Sequence, residues 1–237
     1  MERSCTVTAV SNWLANETQQ AFELSKPIHT IYNFVNLDRF SVPVAHRENL
    51  AKPDEKIVMH ISNFRPVKRV TDVVRTFKKI LERVNARLIM VGDGPERISA
   101  TGVARQLGIT DKIAYLGNNE TVESILPLAD LVFQPSEHES FGLVPLEAML
   151  SGVPVLGTAS GGVCEVVEHG VTGYLCEVGD TDAMARCALD ILLDAEKARA
   201  MGARGRARAH ELFAEEKIVD QYEQLYRDCL TRRHESV

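Results

Sequence analysis

From Lys56 onward, short apolar runs alternate with stretches whose apolar residues recur every three or four positions. IVMHI (57–61), RLIMV (87–91), IAYL (113–116), DLVF (130–133), VPVL (153–156) and GYLCEV (173–178) read as strands. Most are continuous in apolar side chains rather than alternating, the pattern of strands covered on both faces. Between the first two, TDVVRTFKKILERV (71–84) sets Val73, Val74, Phe77, Ile80, Leu81 and Val84 on one helical face. GDGPE turns the second strand into a helix running to about Leu107, and TVESILPL (121–128) continues the series. A short apolar helix follows the polar loop after Phe133, with Pro145 in its first turn and Gly152 just past its end. The Gly-rich turn ASGG (159–162) leads into another helix, and 181–213 and 217–230 are helical by pattern. Strands alternating with helices of this size predict an α/β protein with a doubly wound parallel sheet and ligands at the carboxyl ends of its strands.

The beginning of the chain is less regular. TVTAV (6–10) predicts a strand and SNWLANETQQAFEL a helix, with Ser11 or Asn12 as its N-cap. Pro27 and the run after it give a short extended piece and a turn. The first strand has no sequential partner, so residues 1–40 read as the tail of a domain rather than the start of one. Residues 41–55, with Pro43 and Pro53, predict a surface loop or linker.

Composition narrows the function classes. The 237 residues are 45% hydrophobic and 25% charged, enough for a sizeable core, and the net charge of -6 is spread without long single-sign blocks. Neither nucleic acid nor an anionic membrane is the expected partner. The basic cluster ARGRARA (203–209) predicts a solvated helix face. The five cysteines, Cys5, Cys164, Cys176, Cys187 and Cys229, form no C-x-x-C pair, which argues for reduced thiols. With no long apolar span and no leader-like N-terminus, a cytoplasmic protein is expected.

Chemistry concentrates in strand-to-helix loops that should open on one edge of the sheet. SNFRPVKR (62–69) puts Asn63, Arg65, Lys68 and Arg69 between a buried strand and a helix start, which suits a diphosphate. VGDGPE (91–96) carries G-x-G without the third glycine of a dinucleotide fingerprint and reads as a plain helix start. QPSEHESFGLVPLE (134–147) sets Glu139 in a loop and Glu147 one turn inside the helix, with seven residues between them. Both can face a ligand at the helix N-terminus, where free N–H groups favour an anion. Ser140 lacks a nucleophile-elbow setting and the histidines lack metal-ligand spacing, so neither a hydrolytic triad nor a metal is expected. His60 ends a strand and reads as packed or hydrogen-bonded, while His138 lies in the loop with solvent and ligand both open to it.

SNFRPVKR, VGDGP, YLGN and above all ESFGLVPLE with SGVPVLGTASGG resemble the C-terminal nucleotide-binding domain of retaining group 1 glycosyltransferases of the GT-B fold. The resemblance covers nearly the whole chain, and the spacing from Glu139 to Glu147 is the family's signature. It implies a Rossmann-like domain over 41–212, a remnant of the N-terminal domain and interdomain segment over 1–40, and a C-terminal helix over 213–237 that crosses back to the other domain. The acceptor-binding N-terminal domain is then missing, and the chain is expected to be truncated and inactive alone, its exposed interface a dimer or aggregation surface.

Residue by residue, the resemblance places Lys68 on the donor diphosphate and Arg65 as its companion cation, two positions from Asn63, where the family's arginine usually stands. Glu147 falls on the UDP ribose and Glu139 near the sugar hydroxyls. Ser140, Phe141, Gly142, Leu143 and Val144 form the segment whose amides face sugar and phosphate; Leu116, Gly117 and Asn118 lie by the uracil. Lys68, Glu139 and Arg65 are the catalytic candidates. Within the family the motifs most resemble the transferases that move N-acetylglucosamine from UDP-GlcNAc to L-malate, a small hydroxy acid, in bacillithiol synthesis. The UDP-sugar is a substrate; no cofactor is implied. Alternatives are a non-catalytic UDP-sugar-binding module, a group 1 transferase with another acceptor, and a UDP-sugar 2-epimerase of the same fold, which the spacing of the two glutamates disfavours.

Overall fold

The computed structural model describes residues 6–41, 44–119 and 121–234. Cys5 and Pro43 lie outside them, as do the first residues, on which the reading of the N-terminus leaned. Eight strands are present among the described residues: β1 (Val7–Ala9), β2 (Ile28–Thr30), β3 (Lys56–Ile61), β4 (Ala86–Val91), β5 (Ile113–Gly117), β6 (Leu131–Gln134), β7 (Val155–Thr158) and β8 (Gly173–Cys176). The helices are α1 (Asn12–Ala21), α2 (Val70–Ile80), α3 (Arg97–Gln106), α4 (Val122–Ile125), α5 (Leu143–Leu150), α6 (Val163–Val166), α7 (Thr181–Leu192), α8 (Ala195–Leu212) and α9 (Glu215–His234).

Six strands form one parallel sheet in the order β5-β4-β3-β6-β7-β8. The doubly wound prediction is correct, and the reason is visible in the strands. Val58 in β3, Leu88 and Met90 in β4 and Leu131 and Phe133 in β6 point into a core closed by α2, α3 and α7. Ile57, Met59, Ile89, Val91 and Val132 point the other way, against α5 and α6. Both faces are covered, so every strand position can be apolar. The chain departs to opposite faces after β3 and after β6, which are neighbours. A crevice at the carboxyl ends of these two strands is the topological consequence.

Four expectations need correction. The first strand is not without a partner: β1 pairs in parallel with β2 in a two-stranded sheet. The helix over 181–213 is two helices, because the Asp194 carboxylate turns back to accept from the amides of Glu196 and Lys197 and starts α8 afresh. The strand placed at 153–156 sits two residues later, since Gly152 at φ +73° ends α5 and Val153 and Pro154 complete the turn. The basic cluster is only partly a solvated face. Arg204 donates to the Val171 carbonyl, and Arg208 donates to the carbonyls of Glu165 and Val166, where the end of α6 leaves them free.

Candidate functional site

The crevice after β3 and β6 is built from two loops stitched together. Gln134, at the end of β6, donates to the Ile61 carbonyl at the end of β3, and the Glu137 amide donates to the Val67 carbonyl (2.8 and 2.7 Å). A cleft of about 260 Å³ results, lined by Asn33, Ile61, Ser62, Asn63, Lys68, Gln134, Glu139 and the segment Ser140–Val144.

His60 fixes the first loop from below. It is fully buried, and its Nδ1 lies 2.8 Å from the Phe133 carbonyl, which only an N–H can satisfy. The Nε2 therefore accepts from the Ser62 hydroxyl at 2.8 Å, while Ser62 Oγ accepts from the Phe64 amide. Burial, reinforced by the Lys68 charge and only partly opposed by the carbonyl bond, lowers the imidazole pKa to about 4. His60 is thus a neutral structural post, as its place in the strand suggested. Phe64, buried and stacked over His60, holds a left-handed backbone (φ +37°) that swings the loop onto the turn after β4.

That contact explains the glycines of VGDGPE. A Cβ on Gly92 would lie 1.8 Å from the Ser62 carbonyl oxygen, and one on Gly94 would lie 2.2 Å from that of Asn63. Both also have positive φ, at +110° and +155°. The glycines make room for a neighbouring loop. Similarly, a Cβ on Gly161 or Gly162 would lie 2.3 Å from the Glu139 oxygen or 2.4 Å from that of Ser140, so ASGG backs the Glu139 loop at backbone distance.

Lys68 leaves the first loop and Glu139 the second, and they meet as an ion pair with each side chain 20% exposed. Ser136 also donates to the same Glu139 oxygen, at 2.9 Å. Beside them, α5 begins after its N-cap Gly142 (φ +112°), with no side chain capping its amides. A fixed cation, a fixed carboxylate and open helix N–H groups can hold an anionic group joined to a hydroxylated one. The structure therefore brings Asn63, Lys68, Glu139 and Ser140–Val144 together in one cleft. It does not put the other expected residues on that lining. Arg65 is exposed and off that lining, Leu116–Asn118 lie at the end of β5, two strands away from β3, and Glu147 sits half-buried in α5. Burial pushes Glu147 up to a pKa of about 7, against the attraction of Arg39 and with the repulsion of Glu123.

Sequence reading missed the contribution of residues 6–33. Ser11 caps α1 by accepting from the Leu14 amide and donates to the Ser140 carbonyl at 2.6 Å. The Glu165 carboxylate accepts from the amides of Asn12 and Trp13 and from the Tyr32 hydroxyl. Trp13 stacks on His138, with ring centroids 6.2 Å apart, which gives that histidine a packing role. Asn33 reaches the cleft itself. Only the capping serine had left a signal in the sequence.

Among the described residues, no helix is long and apolar enough to cross a membrane. The family model for glycosyl transferases group 1 matches residues 42–208. The N-acetyl-alpha-D-glucosaminyl L-malate synthase of Bacillus anthracis is 47% identical over 97% of this chain and 61% of its own length. A GDP-mannose-dependent alpha-(1-6)-phosphatidylinositol monomannoside mannosyltransferase of Mycobacterium tuberculosis is 32% identical over 84% of this chain and 56% of its own. Among solved structures, the Anabaena protein Alr3699/HepE in complex with UDP and glucose has a TM-score of 0.88 at 25% identity, covering 94% of this chain and 63% of that one. Sucrose-phosphate synthase from Thermosynechococcus elongatus has a TM-score of 0.85 at 29% identity, covering 98% and 60%. The chain thus spans less than two thirds of the relatives it matches. With its parallel six-stranded sheet, its crevice at the switch point and a match over most of its length, the chain belongs to the group 1 glycosyltransferases of GT-B fold.

Proposed function

We propose that this chain is the donor-binding half of a retaining transferase that moves N-acetylglucosamine from UDP-GlcNAc to L-malate in the cytoplasm, the first step of bacillithiol synthesis. The observation that carries it is the Lys68–Glu139 pair facing the uncapped N-terminus of α5 in one cleft. The similarity to the Bacillus anthracis synthase and to a structure holding UDP and glucose supports donor and acceptor class.

In this reading the α5 amides and Lys68 hold the diphosphate and stabilise the charge that builds on UDP as it departs. Arg65 approaches the phosphates from the exposed side. Glu139 accepts from sugar hydroxyls, Glu147 from the ribose, and Leu116–Asn118 border the base. No protein nucleophile or metal takes part; the acceptor hydroxyl attacks on the face that UDP leaves, in a site closed by a second domain. Residues 41–212 would be the donor domain, and the C-terminal segment 213–237, which contains α9, would cross to the other domain. Residues 1–40 are the remnant of the other domain and the interdomain segment, the segment from which Asn33 lines the donor cleft.

Calorimetric titration of UDP, then UDP-GlcNAc, into the chain tests donor binding, and release of UDP with L-malate present tests transfer. Binding of both ligands without transfer is the outcome expected of a donor half on its own. Transfer by this chain alone would show that no second domain is needed, and absence of binding overturns the donor-site reading.

A further inference from the structure

Asn33 follows directly on Tyr32, whose ring packs on Phe141 and Phe213 at centroid distances of 5.9 and 5.4 Å, the two phenylalanines themselves 5.5 Å apart. The Tyr32 hydroxyl is tied to Glu165 at 3.1 Å. The backbone at residue 33 is therefore held against the start of α5 by an aromatic cluster and a charge-assisted hydrogen bond. Asn33 is half-buried and lines the cleft with Lys68 and Glu139, yet its carboxamide makes no hydrogen bond among the described residues. A partly buried amide set on a fixed backbone, with its polar atoms unused, is poised for a partner that is not protein.

The other groups of the cleft indicate which partner. Lys68 and the α5 amides only donate, which suits phosphate oxygens, and ionised Glu139 only accepts. A sugar hydroxyl both donates and accepts, and a carboxamide can do the same. Gln134 is already committed through its Nε2 to the Ile61 carbonyl, and Asn63 is exposed. We propose that Asn33 is a sugar-binding residue of the donor cleft, its carboxamide hydrogen-bonding a hydroxyl of the transferred sugar. The inference rests on the donor-site reading above and extends it to a residue outside the segment that the family model matches.

The test is calorimetry of UDP and of UDP-GlcNAc on the full chain and on Asn33→Ala and Asn33→Asp. Asn33→Ala should weaken UDP-GlcNAc about tenfold, the value of one well-made hydrogen bond, while UDP affinity stays within about twofold. Asn33→Asp, which keeps the acceptor and loses the donor, should fall between wild type and Ala. Unchanged UDP binding also certifies that the variants are folded. Equal UDP-GlcNAc affinity in wild type and Asn33→Ala overturns the proposal. An equal loss for both ligands overturns it too, because the effect would then lie at the diphosphate or the fold. A wild-type chain that binds neither ligand overturns the donor-site reading itself, an outcome distinct from either.

Discussion

Lys68 Nζ and Glu139 Oε1 stand 2.5 Å apart, so the cation and the carboxylate of the cleft offset each other's charge. A diphosphate entering the cleft must share or take over Lys68. Lys68→Ala should weaken UDP about tenfold or more, as for loss of a charge-assisted hydrogen bond. Glu139→Gln releases Lys68 and should leave UDP binding equal or tighter while weakening UDP-GlcNAc. Calorimetry on both variants checks the pair, and parallel losses of UDP affinity would contradict this division of labour.

Glu147 gives a pH signature. Its burial raises the pKa from an ordinary 4.5 to about 7, with Arg39 opposing and Glu123 adding to the shift. Between those values the folded state holds the extra proton, so this group makes the free chain less stable as pH rises through the window. If the ionised carboxylate accepts from ribose hydroxyls, UDP binding expels that proton. UDP affinity should then climb from pH 5 to 7 by at most about tenfold per unit and level off above. Glu147→Gln should flatten the curve.

His60 acts in the opposite sense. Burial, aided by Lys68, lowers its pKa from 6.5 to about 4, so below pH 6.5 the unfolded chain takes up a proton that the folded chain refuses. The corresponding stability is complete above pH 6.5 and is lost as pH falls to about 4, roughly 3 kcal/mol in all. Denaturant midpoints of His60→Gln should depend less steeply on pH across that range than those of wild type.

The two kinds of glycine in this chain should respond with opposite sign. Gly92→Ala forces a Cβ to within 1.8 Å of the Ser62 carbonyl oxygen at a φ of +110°, so it should cost on the order of 3 kcal/mol or more. Gly102 lies inside α3 with nothing within 4 Å of its Cβ position. Gly102→Ala should stabilise by about 0.5–1 kcal/mol. Urea unfolding of both variants measures the contrast.

The sheet was legible because burial on both faces leaves uninterrupted apolar runs such as IVMHI and RLIMV, and the helices because Val73, Phe77 and Ile80 keep their period. The loops were legible as places where chemistry gathers, and Lys68, Glu139 and Ser140–Val144 do converge. The partners of residues 6–33 were not. The pairing of β1 with β2 joins strands too short to carry a pattern, and the contact of Ser11 with Ser140 crosses 129 positions. Asn33 stands in an irregular stretch after β2 where no periodicity points anywhere, and the glycines of VGDGPE answer to carbonyls about thirty residues away.

The Ser11 bond to the Ser140 carbonyl ties the first turn of α1 to the loop that carries Glu139. The opening of that helix and the ordering of that loop are therefore linked equilibria. A ligand that rigidifies the loop must also slow deuterium uptake along α1, although no α1 residue lines the cleft. A helix on the periphery becomes a reporter of occupancy at the centre.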